Sequence, residues 1–145
     1  MTSKAAAHSK DRKGIEEGYR SGLEVKIAEG LQMLGVPFQY EEQKFAFTQP
    51  AKRRTYTPDF LVTTKSGKLL IIEAKGRFRT EDRQRHLHFR SSNPDLPPVR
   101  FIFSNPNNRI SKTSKTTYGA WCAKNDFLFV KFDPKQVIPQ EWLDE

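Results

Sequence analysis

Thr57-Pro58-Asp59-Phe60-Leu61-Val62-Thr63-Thr64-Lys65-Ser66-Gly67-Lys68-Leu69-Leu70-Ile71-Ile72-Glu73-Ala74-Lys75 is the stretch that decides the fold. Two short apolar runs, Asp59 to Thr64 and Lys68 to Ala74, read as strands joined through Lys65-Ser66-Gly67. Loop length sets their register. A two-residue turn at Ser66-Gly67 pairs Thr64 with Leu69 and sets Asp59 opposite Ala74, on the wrong face. A three-residue loop pairs Thr64 with Lys68 and therefore Asp59 with Glu73. That loop wants a left-handed residue at its last position, and Gly67 supplies one without steric cost. Side chains two apart on a strand leave the same face, so Lys75 joins Glu73. The expected register brings two carboxylates and one ammonium together.

Two carboxylates at adjacent strand positions repel unless something positive sits between them. Hard oxygen donors suit Mg²⁺ or Mn²⁺ and not zinc. Such an ion polarises a phosphate oxygen and lowers the pKa of a bound water. Lys75 is the compact charge that would meet a scissile phosphate or the attacking water. The residues thus point to a metal-dependent nuclease with Asp59, Glu73 and Lys75 at its centre. The bland alternative is an exposed Asp at a strand start followed by a strand-end Glu–Lys pair.

Outward from this hairpin, Leu23, Ile27, Leu31 and Leu34 form a helical stripe that begins at Ser21 and ends at Gly35. Val36, Phe38 and Tyr40 alternate as a strand does, and Phe45 and Phe47 continue the habit. Gln49-Pro50-Ala51-Lys52-Arg53-Arg54 reads as a linker or turn. Downstream, the pattern predicts a helix capped by Thr80 and running to about Arg90, a loop over Asn93 to Pro98 and a buried strand from Val99 to Ser104. An exposed basic loop follows from Asn105 to Lys115. A short helix opened by Thr116 or Thr117 and a last strand from Phe127 to Phe132 complete the pattern. The expected order is α-β-β-β-α-β-α-β, an α/β fold with a mixed β-sheet flanked by helices. Residues 1–19 read as a loose, mildly basic arm, and 20–145 as a single domain.

At 145 residues the chain has length for one core, and 11 phenylalanines among 36% hydrophobic residues argue against wholesale disorder. A net charge of +8 points to a polyanionic partner, although charge alone fits a solvated surface equally well. The charge is uneven: five basic residues and no acidic one lie between Leu96 and Asn125. Cys122 is the sole cysteine, which excludes an intrachain disulfide and a Cys-based zinc site. No apolar run approaches the roughly 20 residues that span a bilayer, and no signal-peptide core is present, so a cytoplasmic location is expected.

Glu24 carries two readings. Ser21-Gly22-Leu23-Glu24 is a capping box, in which Glu24 reaches back to the Ser21 backbone. It is also a third carboxylate that could complete a second metal position. The residues alone favour the cap. His86 and His88, two apart on a helix, read as surface or phosphate-facing and not as ligands. Tyr118, Trp121 and Cys122 read as core, and Lys52-Arg53-Arg54 as solvated or as a phosphate contact.

Arg20-Ser21-Gly22-Leu23-Glu24, Phe38-Gln39-Tyr40-Glu41-Glu42, Tyr56-Thr57-Pro58-Asp59-Phe60-Leu61 and Glu73-Ala74-Lys75-Gly76 together form a more specific pattern. Asp82-Arg83 with His86-Leu87, Ser114 through Gly119, and Ile138-Pro139-Gln140-Glu141-Trp142 extend it. From about Tyr19 to Leu143 the chain resembles the endonuclease I family of T-odd phages, within the PD-(D/E)xK nuclease superfamily. The resemblance implies a restriction-endonuclease-like core and Mg²⁺-dependent cleavage of four-way (Holliday) junctions and other branched DNA by paired nicks. It implies that Glu24, Asp59, Glu73 and Lys75 form the active site, which adds a catalytic role to the cap at Glu24. Metal ligands would be Asp59, Glu73 and the Ala74 carbonyl, with a second ion between Glu24 and Asp59; Mn²⁺ would substitute for Mg²⁺. It also implies a segment-swapped homodimer, Glu24 coming from one chain and the other three residues from its partner, with a crossing strand near Phe45 to Pro50. A phage or prophage enzyme of this kind acts in the host cytoplasm. The competing readings are another nuclease of the superfamily, of transposase-end or restriction type, and a non-catalytic basic DNA-binding module.

Overall fold

The structure, a computed structural model, describes residues 21–49 and 52–145. The expected arm over 1–19, Arg20 and the Pro50-Ala51 part of the expected linker lie outside the described residues.

Helix α1 (Gly22–Leu34) starts where Ser21, in extended conformation, accepts the Glu24 amide on its hydroxyl at 3.2 Å. It stops at Gly35, whose φ of 68° returns the chain to the left-handed region. Ile27, Ala28 and Leu31 bury the inner stripe, whereas Leu34, expected to extend it, is exposed. Strand β1 (Phe38–Tyr40) follows, then a hairpin of β2 (Phe45–Gln49) and β3 (Lys52–Tyr56). Here the expectation of a linker or turn over Gln49 to Arg54 is corrected for Gln49 and for Lys52 to Arg54, which are paired strand residues. The pairing is stabilised from outside the segment: Phe47 and Tyr56 bury their rings against Phe89, a partner that local sequence does not reveal.

Strands β4 (Phe60–Thr63) and β5 (Leu69–Lys75) pair antiparallel with Phe60 opposite Ile72 and Thr63 opposite Leu69. This is the three-residue-loop register. The Thr64 amide donates to the Lys68 carbonyl at 2.9 Å, and Gly67 takes a φ of 89°. Helix α2 (Thr80–Ser92) carries the chain to β6 (Val99–Phe103), and α3 (Tyr118–Lys124) to β7 (Phe129–Lys131). Both connections join parallel neighbours. Thr80 is the first helical residue and not the cap; the Asp82 carboxylate instead accepts the Arg79 amide at 3.0 Å. Thr117 does cap α3, accepting the Ala120 amide on its hydroxyl at 3.0 Å. A helical turn, α4 (Gln140–Leu143), was not foreseen.

The five-stranded sheet runs β1-β4-β5-β6-β7, mixed and flanked by helices as expected. Its two faces carry different cores. One buries Phe60, Val62, Leu70, Ile72 and Ala74 beneath α1, Trp142 and Leu143. The other buries Leu61, Ile71, Phe101 and Phe103 beneath α2, α3 and the β2–β3 hairpin. Alternation along β5 therefore assigns Glu73 and Lys75 to the second face. Tyr118 and Cys122 are buried there as expected, with Trp121 packed against them.

Candidate active site

The hairpin register carries Asp59, one residue before β4, to the position opposite Glu73. The Asp59 carboxylate accepts the Ala74 amide at 2.9 Å, and the Asp59 amide lies 3.4 Å from a Glu73 oxygen. Backbone and side chain thus lock each acid to the other's strand. The same Glu73 oxygen accepts the buried Tyr56 hydroxyl at 2.6 Å. Its second oxygen lies 3.4 Å from the Lys75 ammonium, which is 3.3 Å from an Asp82 oxygen on α2.

Glu24 comes from α1, over the end of the sheet. Its carboxylate accepts the Tyr40 hydroxyl and shares with Glu41 and Asp59 a cluster whose oxygens lie within 4.8 Å of one another. Ser21 caps the Glu24 amide, but the Glu24 side chain turns into the site, and among the described residues no hydrogen bond returns it to the Ser21 backbone; that half of the expected capping box is corrected. In the single chain all four expected residues line one open cleft: Glu24, Asp59, Glu73 and Lys75. Ala74 also lines it, contributing its amide to Asp59.

The electrostatics follow from this crowding. Burial pushes the Asp59 carboxyl well above the usual carboxylate range, and the negative charges of Glu73 and Glu24 raise it further. The Ala74 amide and Lys75 offset only part of that. Burial alone would lower the Lys75 pKa, but Glu73, Asp82 and Asp59 more than compensate and keep the ammonium charged. Burial, then Glu73, raises the Tyr56 phenol well above its ordinary value, so it stays a donor. Glu24, Asp59 and Glu73, all buried, supply only hard oxygen atoms, with Lys75 as the cation at hand. That donor set fits a hard divalent cation, which would offset the burial and the repulsion that hold Asp59 towards its neutral form.

Four contributors were not assigned by sequence reasoning: Tyr40, Glu41, Tyr56 and Asp82. Tyr40, Glu41 and Tyr56 stand within the quoted motifs, and Asp82 begins the next one, but nothing local shows that they converge. Glu41 reaches the cluster from a left-handed backbone, φ 51°, with its amide on the Asp59 carbonyl at 3.2 Å. The reading of His86 as a surface or phosphate-facing residue is corrected. It is fully buried, edge-on to Tyr56 at 5.0 Å and to Phe101 at 4.9 Å between ring centroids. Arg83, His86 and Phe89, three apart, form the face that α2 presents to the sheet. Burial, with Lys75 and Arg85 nearby, pushes the His86 pKa well below its ordinary value and holds it neutral. His88 is only half-buried.

The sequence model of the family described as Phage endonuclease I matches residues 4–145. Endonuclease I of Escherichia phage T7 is 39% identical over 135 residues, covering 92% of this chain and 85% of that protein. Endodeoxyribonuclease 1 of Enterobacteria phage T3 is 38% identical over 130 residues, covering 83% and 82% respectively. Among solved structures, a chain of an EndoMS–dsDNA2 complex aligns with 90% of this chain and 48% of its own length. That similarity, TM-score 0.40 at 18% identity, is too low to bear on fold or function.

Proposed function

The chain belongs to the phage endonuclease I family, and from that premise we propose a divalent-metal-dependent DNA endonuclease that resolves four-way junctions and other branched DNA by paired nicks. One observation carries the reading: Asp59 and Glu73 are register-paired on the face that also holds Lys75, with Glu24 closing the cluster. In this reading residues 20–145 are a single nuclease domain with a PD-(D/E)xK core, preceded by a basic arm over 1–19, and the enzyme acts in the host bacterial cytoplasm.

Asp59, Glu73 and the Ala74 carbonyl would hold one Mg²⁺, and Glu24 with Asp59 a second; Mn²⁺ would substitute. Such ions supply Lewis-acid charge to the phosphodiester oxygens and to the attacking water. The protein's own groups do the rest. Lys75, kept protonated by Glu73 and Asp82, offers a fixed positive charge to the phosphate as negative charge grows on it. Tyr56 fixes the orientation of Glu73, and the Ala74 amide fixes that of Asp59. A homodimer with exchanged segments near Phe45 to Pro50 would present two such sites for symmetric cuts. There the partner subunit's Glu24 would stand beside Asp59, as this chain's own Glu24 does here.

The test is cleavage of a labelled four-way junction beside linear duplex of equal sequence, with Mg²⁺ and with chelator. Preferential cutting of the junction, abolished by chelator, is expected. Equal cutting of both substrates removes the junction claim, and binding without any nicking removes the enzyme.

A further inference from the structure

We propose that Arg77, Arg109 and Lys112 form a phosphate-binding subsite, separate from the carboxylate cluster, that grips the DNA backbone beyond the cleavage point. This rests on the nuclease reading for the identity of its ligand.

Position comes first. Arg77 lies two residues past Lys75, at the carboxyl end of β5. The Ser104 amide donates to the Lys75 carbonyl at 3.1 Å, so the segment after β6 departs beside the same sheet end. Crevices beyond the carboxyl ends of parallel strands are where open α/β sheets bind ligands.

The segment is also built. The Ile110 amide donates to the Thr116 carbonyl at 2.8 Å, the Tyr118 amide to Asn108 at 2.8 Å and the Gly119 amide to Pro106 at 2.9 Å. Arg109 and Thr117 form an antiparallel bridge. These bonds fold the chain into a shallow concavity lined by Arg77, Asn108, Arg109, Ser111, Lys112 and Tyr118.

The chemistry of that lining is one-sided. No acidic residue occurs between Leu96 and Asn125. Among the described residues no carboxylate pairs with Arg77, Arg109 or Lys112, whereas Lys75, Arg85 and Arg100 each have one. Three exposed, uncompensated cations converge with the donors of Asn108 and Ser111. That arrangement suits an anion with several acceptor oxygens, and arginine forks match a phosphate.

The test measures junction binding by the full chain in chelator across a salt series, for wild type, Arg109→Ala/Lys112→Ala and Arg77→Ala. The double variant should bind on the order of 10-fold more weakly near 0.1 M salt, with a log–log salt slope shallower by about two. Arg77→Ala should lower the slope by about one. Lys124→Ala/Lys135→Ala removes the same charge from exposed positions elsewhere and should leave the slope near wild type. With Mg²⁺ restored, junction already bound by the double variant should be cut within about two-fold of the wild-type rate, because these groups act on binding. An unchanged slope, an equal loss in the control pair, or slower cutting at unchanged affinity overturns the subsite. Wild-type protein that binds junctions but never cuts them would refute the nuclease reading alone, since the salt slopes would still decide this one.

Discussion

The two faces of β5 are made from one strand and do opposite things. Leu70, Ile72 and Ala74 point into an aliphatic layer under α1, while Glu73 and Lys75, one step out of phase, point into a charged cleft. The first face gains stability by removing apolar area from water. The second places Glu73 and Asp59 in burial that raises the Asp59 pKa, and holds them with hydrogen bonds that also orient them. Under the proposed function, stability and chemistry are divided by strand parity, and substitutions on the two faces should fail in different ways.

The largest effect is expected on the charged face. Asp59→Ala should lower the cleavage rate by about 10²–10³-fold or more while leaving junction affinity in chelator close to wild type; a rate loss matched by loss of binding would erase the distinction between the faces. Leu70→Ala, on the aliphatic face, should cost about 2–5 kcal/mol of stability in denaturant unfolding, with the activity of the remaining folded protein retained. Smaller is Tyr56→Phe, which keeps the ring among His86 and Phe89 but removes the donor to Glu73. It should weaken Mg²⁺ affinity by about 10–100-fold, read as a metal titration midpoint shifted to higher concentration, with little change in melting temperature.

The smallest effect concerns pH. Because burial raises the Asp59 pKa in the folded chain, its native state binds more protons than the unfolded one between the two pKa values. Its stabilising contribution is complete below the ordinary carboxylate pKa of about 4 and is lost as pH rises through the folded value. In chelator at neutral pH, Asp59→Asn should therefore melt at a higher temperature than wild type, and the gap should close as pH falls. A gap that widens on acidification would mean that Asp59 is stabilised as a carboxylate, and the contrast between faces would need another cause.

The charged hairpin was legible because its determinants are local. Apolar runs mark the strands, and Gly67 at the loop position that needs a left-handed backbone selects the loop length. Register then follows, and with it the meeting of Asp59, Glu73 and Lys75. The basic run Lys52 to Arg54 misled for the complementary reason: its strand is held by the docking of Phe47 and Tyr56 on Phe89, more than thirty residues later in the chain. His86 misled likewise, since a helix of mostly polar and charged residues does not announce which side meets a sheet.

By itself, then, the sequence determined the strand pairing at the site, the cap of α1, the mixed sheet and the family. Neighbouring residues and loop length suffice for the pairing and the cap, because dihedral preference and side-chain direction act over a few positions, and motifs spread along the chain suffice for the family. Only the tertiary structure decided that Tyr56 and Asp82 brace Glu73 and Lys75, that Glu41 joins Glu24 and Asp59, and that Arg77 meets Arg109 and Lys112 in one concavity. Those meetings depend on how the layers pack, and packing joins residues by volume and charge across distances in sequence that no local preference spans.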